Sequence, residues 1–163
     1  MKQIISTPRK LDRMDRRILR KLQEDGRISY VDLAAAVGLS TSPCLERVKR
    51  LEKDGYIRGY TAQLEPRLLD AELLVFVEIS LNYTSSNVFE EFKRELLTLP
   101  EVLECHLVSG DFDYLIKARI ANMAAYRALL GELLRVLPGV RDSRTLVVME
   151  EVKETSRLAI PER

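Results

Sequence analysis

The sequence predicts an α+β protein with an N-terminal winged helix-turn-helix domain and a C-terminal ferredoxin-like βαββαβ domain. Three short helical patterns precede Asp54-Gly55, and strand and helix patterns alternate after residue 72. The charge also changes sign along the chain. Residues 1–63 hold 14 Lys/Arg and 8 Asp/Glu, whereas residues 64–163 hold 12 and 17. A basic half followed by an acidic half indicates that only the first half meets a polyanion.

The first two helices are predicted from apolar spacing and from the residues at their ends. Asp12 is placed to cap the first helix, and Gly26 to stop it. Ser29 and Asp32 fit a capping box for the second helix. Gly38 ends that helix because glycine accepts the left-handed conformation that a helix terminus often needs.

The third helix combines an apolar inward face with a basic outward face. A solvated helix of mixed charge would explain the outward face of an isolated helix. After two helices and the Gly38-Leu39-Ser40 corner, the pattern instead favours a helix offered to a DNA groove. Basic side chains would bind phosphates, and hydroxyl groups near the start of the helix would contact the DNA backbone. Arg50 could instead bind guanine edges. The candidate DNA-binding residues are Ser40, Thr41, Ser42, Arg47, Lys49 and Arg50.

The segments around these helices are predicted from composition. Met1–Lys10 is expected to be a basic arm, and the β-prone run Tyr56–Ala62 a small wing. The domain boundaries follow as residues 1–63 for the helix-turn-helix domain, 64–72 for a linker and 73–163 for the second domain.

The second domain shows the order βαββαβ. Its predicted elements are strands Leu73–Asn82, Val102–Val108, Phe112–Ile120 and Ser143–Val152, with helices Asn87–Leu99 and Met123–Leu137. A Leu-Pro pair at residues 99–100 and again at 137–138 leads from helix to strand, as duplicated halves would produce. The first and last strands are apolar on both sides, so the sheet face without helices needs a cover. A second copy of the chain is the simplest cover, which predicts a homodimer.

The loop Val108–Tyr114 is the candidate ligand site. An amino-acid zwitterion needs an acceptor for its ammonium group and free amides for its carboxylate. Gly110 allows close approach of the backbone, and Asp111 and Asp113, two apart on a strand, would supply acceptors on one side. The plainer interpretation is that this loop is only a hairpin turn.

Enzymatic, metal-binding and membrane functions are not predicted. Asp111 and Asp113 lack an accompanying cofactor fingerprint, and Cys105-His106 lacks a second ligand pair. No catalytic residue, metal or cofactor is therefore expected. The sequence holds no bilayer-length apolar run, and its two cysteines make no disulfide framework, so a cytoplasmic location is expected.

Several consecutive segments resemble the Lrp/AsnC (feast/famine) family. They are LDRMDRRILRKLQEDGRIS, GLSTSPCLERVKRLEKDGYIRGYTA, LLVFVEI, ECHLVSGDFDYL and VVMEEVK. The resemblance implies a bacterial transcription regulator that binds double-stranded DNA, controls amino-acid metabolism genes and associates with the nucleoid. It also implies a C-terminal domain that dimerises, often assembles to octamers and binds an amino-acid effector.

The resemblance further implies positions for the effector response. In a leucine-responsive family member, the response positions correspond to Leu107, Asp113, Met123, Leu146, Val147 and Val148. That member has a tyrosine where this chain has Leu146, which leaves the effector open among leucine, alanine or another small neutral amino acid. Two alternatives remain at this stage: a nucleoid-type architectural DNA-binding protein without an effector, and an amino-acid-sensing subunit of an enzyme.

Overall fold

The computed structural model describes residues 9–82 and 87–161, which divide into two compact units. The first unit contains the chain up to Gln63 together with the segment from Glu154, and the second runs from Leu64 to Lys153. The basic arm expected at Met1–Lys10 lies almost entirely outside the described residues.

The first unit contains three helices, α1 (Arg13–Glu24), α2 (Tyr30–Val37) and α3 (Thr41–Lys53). Asp12 caps α1 in a reciprocal capping box with Asp15, and the Ser29 hydroxyl accepts from the Asp32 N–H at the start of α2. Gly38 ends α2 in the left-handed conformation, as predicted. Ser40 occupies the N-cap position of α3, but its side chain makes no capping hydrogen bond.

The run from Tyr56 to Ala62 differs from the expected wing strand. It forms no strand among the described residues. A strand requires a hydrogen-bonded neighbour, and the one sheet in the described part of the chain is built from β1 to β4 of the second unit. The β-prone composition of this run was therefore insufficient to form a strand.

The C-terminal segment also differs from the expected boundary of 73–163. Residues 154–161 lie against α1 in the first unit. The Arg20 guanidinium donates two hydrogen bonds to the Ile160 carbonyl, at 3.1 and 3.3 Å, and the Ile160 side chain packs on the helical core. Gln23 and Leu158 exchange two further hydrogen bonds. Such side-chain-to-backbone contacts have no sequence periodicity that could have predicted them.

The second unit has the predicted order of strands and helices. Its elements are β1 (Leu73–Leu81), α4 (Val88–Leu96), β2 (Val102–Leu107), β3 (Tyr114–Ile120), α5 (Met123–Val136) and β4 (Val140–Val147). The strands form one antiparallel sheet in the order β2-β3-β1-β4, which is the ferredoxin-like arrangement. The last strand begins three residues before the predicted Ser143 and ends at Val147 rather than Val152. The predicted linker contains a 3-10 turn at Pro66–Leu69.

One face of the sheet carries the core of this unit. Alternate β1 residues from Val75 to Leu81 are fully buried with side chains of α4 and α5, including Phe92 and Leu133. We call the opposite side of the sheet the open face; it carries the intervening β1 residues and the residues paired with them. Phe76 lies opposite Leu146 there, and Leu146 is 40% exposed. An apolar open face was predicted from β1 and β4, and the register confirms that its residues share one side.

Candidate DNA-binding and effector sites

The candidate DNA-binding residues fall into two groups on α3. Ser40, Thr41 and Ser42 lie exposed at the start of the helix, and Lys49 is exposed about two turns further on. Arg47 and Arg50 are instead half-buried against α1. The structure therefore leaves the hydroxyls and Lys49 accessible to a ligand, and engages both arginines internally.

The two arginines belong to an ion-pair cluster that we call the arginine clamp, formed by Asp12, Asp15, Arg47 and Arg50. Arg47 Nη1 donates to Asp12 Oδ2 at 2.6 Å and to Asp15 Oδ1 at 2.8 Å, and Arg50 Nη2 donates to Asp15 Oδ1 at 2.5 Å. Only 3% of the Asp15 side chain is exposed. The clamp joins α1 to α3, a contact that the sequence analysis missed. Its signal was present in two aspartates at the start of α1: Asp12 was assigned only to capping, and Asp15 was given no role.

The electrostatics of the clamp favour the ionised forms of Asp12 and Arg47. Burial raises the pKa of Asp12, but hydrogen bonds from the Asp15 N–H and from Arg47, with the charge of Arg47, outweigh burial and lower it to about 2. The hydrogen bonds that Arg47 donates to the Asp12 and Asp15 carboxylates raise the pKa of Arg47. Asp12 and Arg47 therefore stay charged at neutral pH.

The candidate ligand loop runs between β2 and β3. Asp111 and Asp113 lie in this loop, not on a strand, because β3 begins only at Tyr114. The argument that strand spacing places both carboxylates on one side was therefore wrong. The loop is closed by a hydrogen bond from the Val108 N–H to the Asp113 carbonyl at 2.9 Å.

Asp113 holds the loop to β1. Its N–H donates to the Ile79 carbonyl at 2.9 Å, and its carboxylate accepts from the Leu81 N–H at 2.7 Å. Pairing between β1 and β3 ends at Ile79 with Tyr114, so the fully buried Leu81 lies beyond the last β3 partner. The Asp113 carboxylate takes the place of the missing strand acceptor. This gives Asp113 a structural use that its predicted role did not include.

Asp111 is exposed and lines a cavity of about 210 Å³ at the end of β1. The other lining residues are Glu78, Ser80, Phe112, Asp142, Ser143 and Arg144. Glu78 lies directly opposite Arg144 in the β1–β4 register, so a carboxylate and a guanidinium occupy neighbouring positions on the open face. The sequence analysis did not identify Glu78 or Arg144 as candidates. The available signal was that each is a charged residue within an otherwise largely apolar strand.

The remaining effector candidates do not converge on this cavity within one chain. The Val148 N–H donates to the Leu74 carbonyl, whereas the Asp113 N–H donates to the Ile79 carbonyl. Those two β1 residues are five positions apart, which corresponds to about 16 Å along the strand. Leu146, Val147 and Val148 thus lie toward the start of β1, and Gly110, Asp111 and Asp113 at its end.

Met123 and Leu107 lie at two other places. Met123, 49% exposed, begins α5 and lines a separate cavity of about 480 Å³ with Leu73 and Asn122. Leu107 ends β2 and is 62% exposed. The predicted effector set therefore divides between the two ends of the sheet.

Two other groups were considered in the sequence analysis. Burial raises the pKa of the Cys105 thiol to about 11, so it is protonated at neutral pH. His106 Nε2 lies 3.1 Å from Glu104 Oε2 on the exposed edge strand. Within residues 9–82 and 87–161, no group of three or more His, Cys, Asp or Glu side chains is arranged to hold a metal ion. No helix in that part of the chain is long and apolar enough to span a bilayer.

Two family models match the chain, one over the three helices of the first unit and the other over most of the second unit and the start of the C-terminal segment. A winged helix-turn-helix DNA-binding model matches residues 11–58, and an Lrp/AsnC ligand-binding-domain model matches residues 74–158. Fold and matches together define a two-domain transcription regulator that binds DNA through one domain and a ligand through the other. The chain belongs to the Lrp/AsnC family, whose members are amino-acid-responsive transcription regulators and not enzymes. A ligand-binding domain does not favour an architectural protein without an effector.

Similar proteins support this assignment along nearly the whole chain. The chain is 63% identical over 153 residues to the leucine-responsive regulatory protein of Escherichia coli (strain K12), covering 94% of this chain and 93% of the relative. An AsnC family transcriptional regulator from Agrobacterium tumefaciens superposes with a TM-score of 0.88 at 38% identity, covering 91% of this chain and 97% of the other. A transcriptional regulator of Neisseria meningitidis, solved as a complex with L-methionine, gives a TM-score of 0.88 at 37% identity, with coverage of 92% and 97%.

Proposed function

We propose that the chain regulates transcription of amino-acid metabolism genes by binding a small neutral amino acid in its second domain. The cavity that Asp111 lines is the observation that carries this proposal. Its Glu78, Asp111 and Asp142 carboxylates are acceptors for an ammonium group, and Arg144 is a donor for a carboxylate. About 210 Å³ is smaller than the cavities of drug-sized ligands, and suits a metabolite with few heavy atoms.

The effector is proposed to be leucine, alanine, methionine or a similar neutral amino acid. The leucine-responsive relative from Escherichia coli and the Neisseria complex with L-methionine support this class. Isothermal titration with a panel of L-amino acids tests the proposal. Arg144→Ala should lose at least tenfold in affinity for any amino acid that wild type binds, because the carboxylate loses its cation. Arg141→Ala is the matched control, since Arg141 is an exposed arginine of the same strand that does not line the cavity. Equal losses for both variants would place the ligand elsewhere.

The second part of the proposal is a homodimer through the open face. Phe76 and Leu115 are half-buried there, and Leu146 is 40% exposed, so a row of apolar side chains lacks a protein cover. A second copy related by a two-fold axis perpendicular to the strands would set the start of one β1 against the end of the other. That arrangement would unite the two halves of the effector set that a single chain separates. It also supplies a reason for ligand binding to bias assembly.

Sedimentation velocity tests the dimer with a matched pair of variants. Leu146→Glu should give a monomer at micromolar concentration because it places a charge in the proposed interface. Leu134→Glu should leave assembly unchanged, since Leu134 is 48% exposed on α5, away from the open face. Dimers are expected to assemble further to octamers at higher wild-type concentration. A monomeric wild type would refute the interface.

DNA recognition is proposed to use two α3 helices of the dimer in successive major grooves. Imperfect inverted repeats follow from that symmetry, and an octamer would bend the DNA that wraps it. The DNA backbone is proposed to be contacted by the exposed residues of α3 and its N-cap, which are Ser40, Thr41, Ser42 and Lys49. The protein is accordingly proposed to act in the cytoplasm, associated with the nucleoid.

A further inference from the structure

Asp15 is the one charged side chain that is buried among the residues the structure describes. The residue as a whole is 2% exposed, although it lies only three residues after the helix-capping Asp12. Asp15 Oδ1 accepts from Arg47 and Arg50 together, while Oδ2 accepts from the Asp12 N–H at 3.1 Å. A buried carboxylate without partners of opposite charge destabilises the folded state, so the pairing of Asp15 with both guanidinium groups stabilises this domain.

The clamp changes how much positive charge α3 offers to DNA. Two aspartates and two arginines carry no net charge, although both arginines lie on the helix that faces the polyanion. Each arginine side chain keeps more than a quarter of its surface exposed, 29% for Arg47 and 28% for Arg50. A phosphate can therefore reach them, but drawing either guanidinium away from α1 weakens the pairing of a buried carboxylate.

Lys49 carries no comparable penalty. It is exposed on the same helix and forms no ion pair within the described part of the chain. The helix thus carries Lys49, which can bind any phosphate. It also carries Arg47 and Arg50, which can bind a phosphate only by weakening their pairing with Asp15. Non-specific binding to duplex DNA comes almost entirely from phosphate neutralisation, whereas a matching site adds contacts to base edges.

We propose that Asp15, assisted by Asp12, is a specificity-determining residue that withholds Arg47 and Arg50 from non-specific DNA. Arg47 and Arg50 contact the DNA only at a matching site, where additional contacts to base edges offset the weakened pairing of Asp15. Asp15 touches no DNA in this scheme and acts through the two arginines. The inference rests on the DNA-binding function of α3.

The decisive variant is Asp15→Asn, which keeps the shape of the side chain and removes its charge. Affinity is measured by fluorescence anisotropy against potassium chloride concentration for two duplexes of equal length. One is a random sequence, and the other is selected by the wild-type protein from a random pool. With the random duplex, Asp15→Asn should bind at least tenfold more tightly than wild type at low salt. Its log K against log[salt] slope should be steeper by about 1 to 2, since each added phosphate contact contributes about 0.9. Affinity for the selected duplex should change by less than threefold, so the specificity ratio falls.

Three further variants connect this effect to the arginines. Asp12→Asn leaves Asp15 in place and removes the charge of one of the two carboxylate partners of Arg47, so it should give about half the change in slope or less. Asp12 is 44% exposed, so the position tolerates this substitution. Glu24→Gln removes one carboxylate from α1 and frees Lys21, which lies away from α3, with the same change in net charge. It should leave the slope unchanged. Adding Arg47→Gln and Arg50→Gln to Asp15→Asn should return the slope for the random duplex to the wild-type value or below it.

Other outcomes would overturn the inference. If folded Asp15→Asn binds both duplexes more weakly with an unaltered slope, Asp15 only supports the fold. If Glu24→Gln steepens the slope as much, net charge explains the effect. If Asp15→Asn does not fold, as judged by circular dichroism, an unaltered slope for Asp12→Asn decides against the clamp. A wild-type protein that binds neither duplex would refute the DNA-binding function itself, which is a different failure.

Discussion

The outer face of α3 and the loop between β2 and β3 use their charged residues in different ways. In both regions, some predicted binding residues hold the structure and others remain exposed. Arg47 and Arg50 are paired with carboxylates, so their charge is cancelled. The carboxylate of Asp113 instead accepts from the Leu81 N–H, and its own N–H donates to the Ile79 carbonyl, whereas the neighbouring Asp111 is exposed. A pattern of charges in a sequence therefore predicts where a site lies better than it predicts how much charge the site offers.

The largest expected effect concerns the loop. Asp113→Ala should lower the free energy of unfolding of the second unit by about 2 kcal/mol, because the buried Leu81 N–H loses its acceptor. Asp111→Ala should lower it by less than about 0.5 kcal/mol, as for most exposed positions. Urea denaturation of both variants measures the difference. Equal destabilisation would show that the two carboxylates are not divided between structure and binding.

An intermediate effect is expected on α3. Lys49→Ala should weaken binding to a selected duplex by about tenfold and reduce the salt slope by about 1, with no change in unfolding free energy. Arg50→Ala should weaken binding and also destabilise the first unit, since it removes one partner of Asp15. Anisotropy titrations combined with thermal melts separate the two residues. Loss of stability in Lys49→Ala would contradict its assignment as an exposed phosphate contact.

The smallest effect is a dependence of stability on pH. The pKa of Asp12 is about 2 in the folded protein against 3.8 when unperturbed, so its ionised form stabilises the fold above pH 3.8. This contribution is lost as the pH falls toward 2. Asp12→Asn should therefore be less stable than wild type at pH 7, by no more than about 1 kcal/mol because Asp12 is 44% exposed. Thermal melts at pH 7, 4 and 2.5 should show the two proteins converging, and a constant difference would argue against the ionised clamp.

The elements that local chemistry controls could be predicted from the sequence. Asp12, Ser29 and Gly38 mark helix ends because capping depends on residues within one turn. The alternation in β1 gave the buried face correctly, since period 2 follows from the strand backbone itself. These signals sufficed for the order of elements in both units.

The errors arose where distant segments decide the structure. β4 begins at Val140 because Val140 pairs with Leu81 across an irregularity in register. The charged residues Arg141 and Asp142 interrupt the apolar pattern there, so the sequence did not show this start of the strand. The same register brings Glu78 beside Arg144, so most of the lining of the candidate cavity could not be found by scanning one loop. The pairing of Asp15 with α3 likewise joins residues more than thirty positions apart.

The most direct test of the account measures DNA affinity with and without an amino acid. A duplex selected by the wild-type protein is titrated in the presence of each neutral L-amino acid, with wild type, Arg144→Ala and Arg141→Ala. We expect at least one amino acid to shift the affinity of wild type and Arg141→Ala several-fold, and to leave Arg144→Ala unaffected. An equal response in all three proteins, or no response to any amino acid, would contradict the claim that the cavity at the end of β1 controls DNA binding.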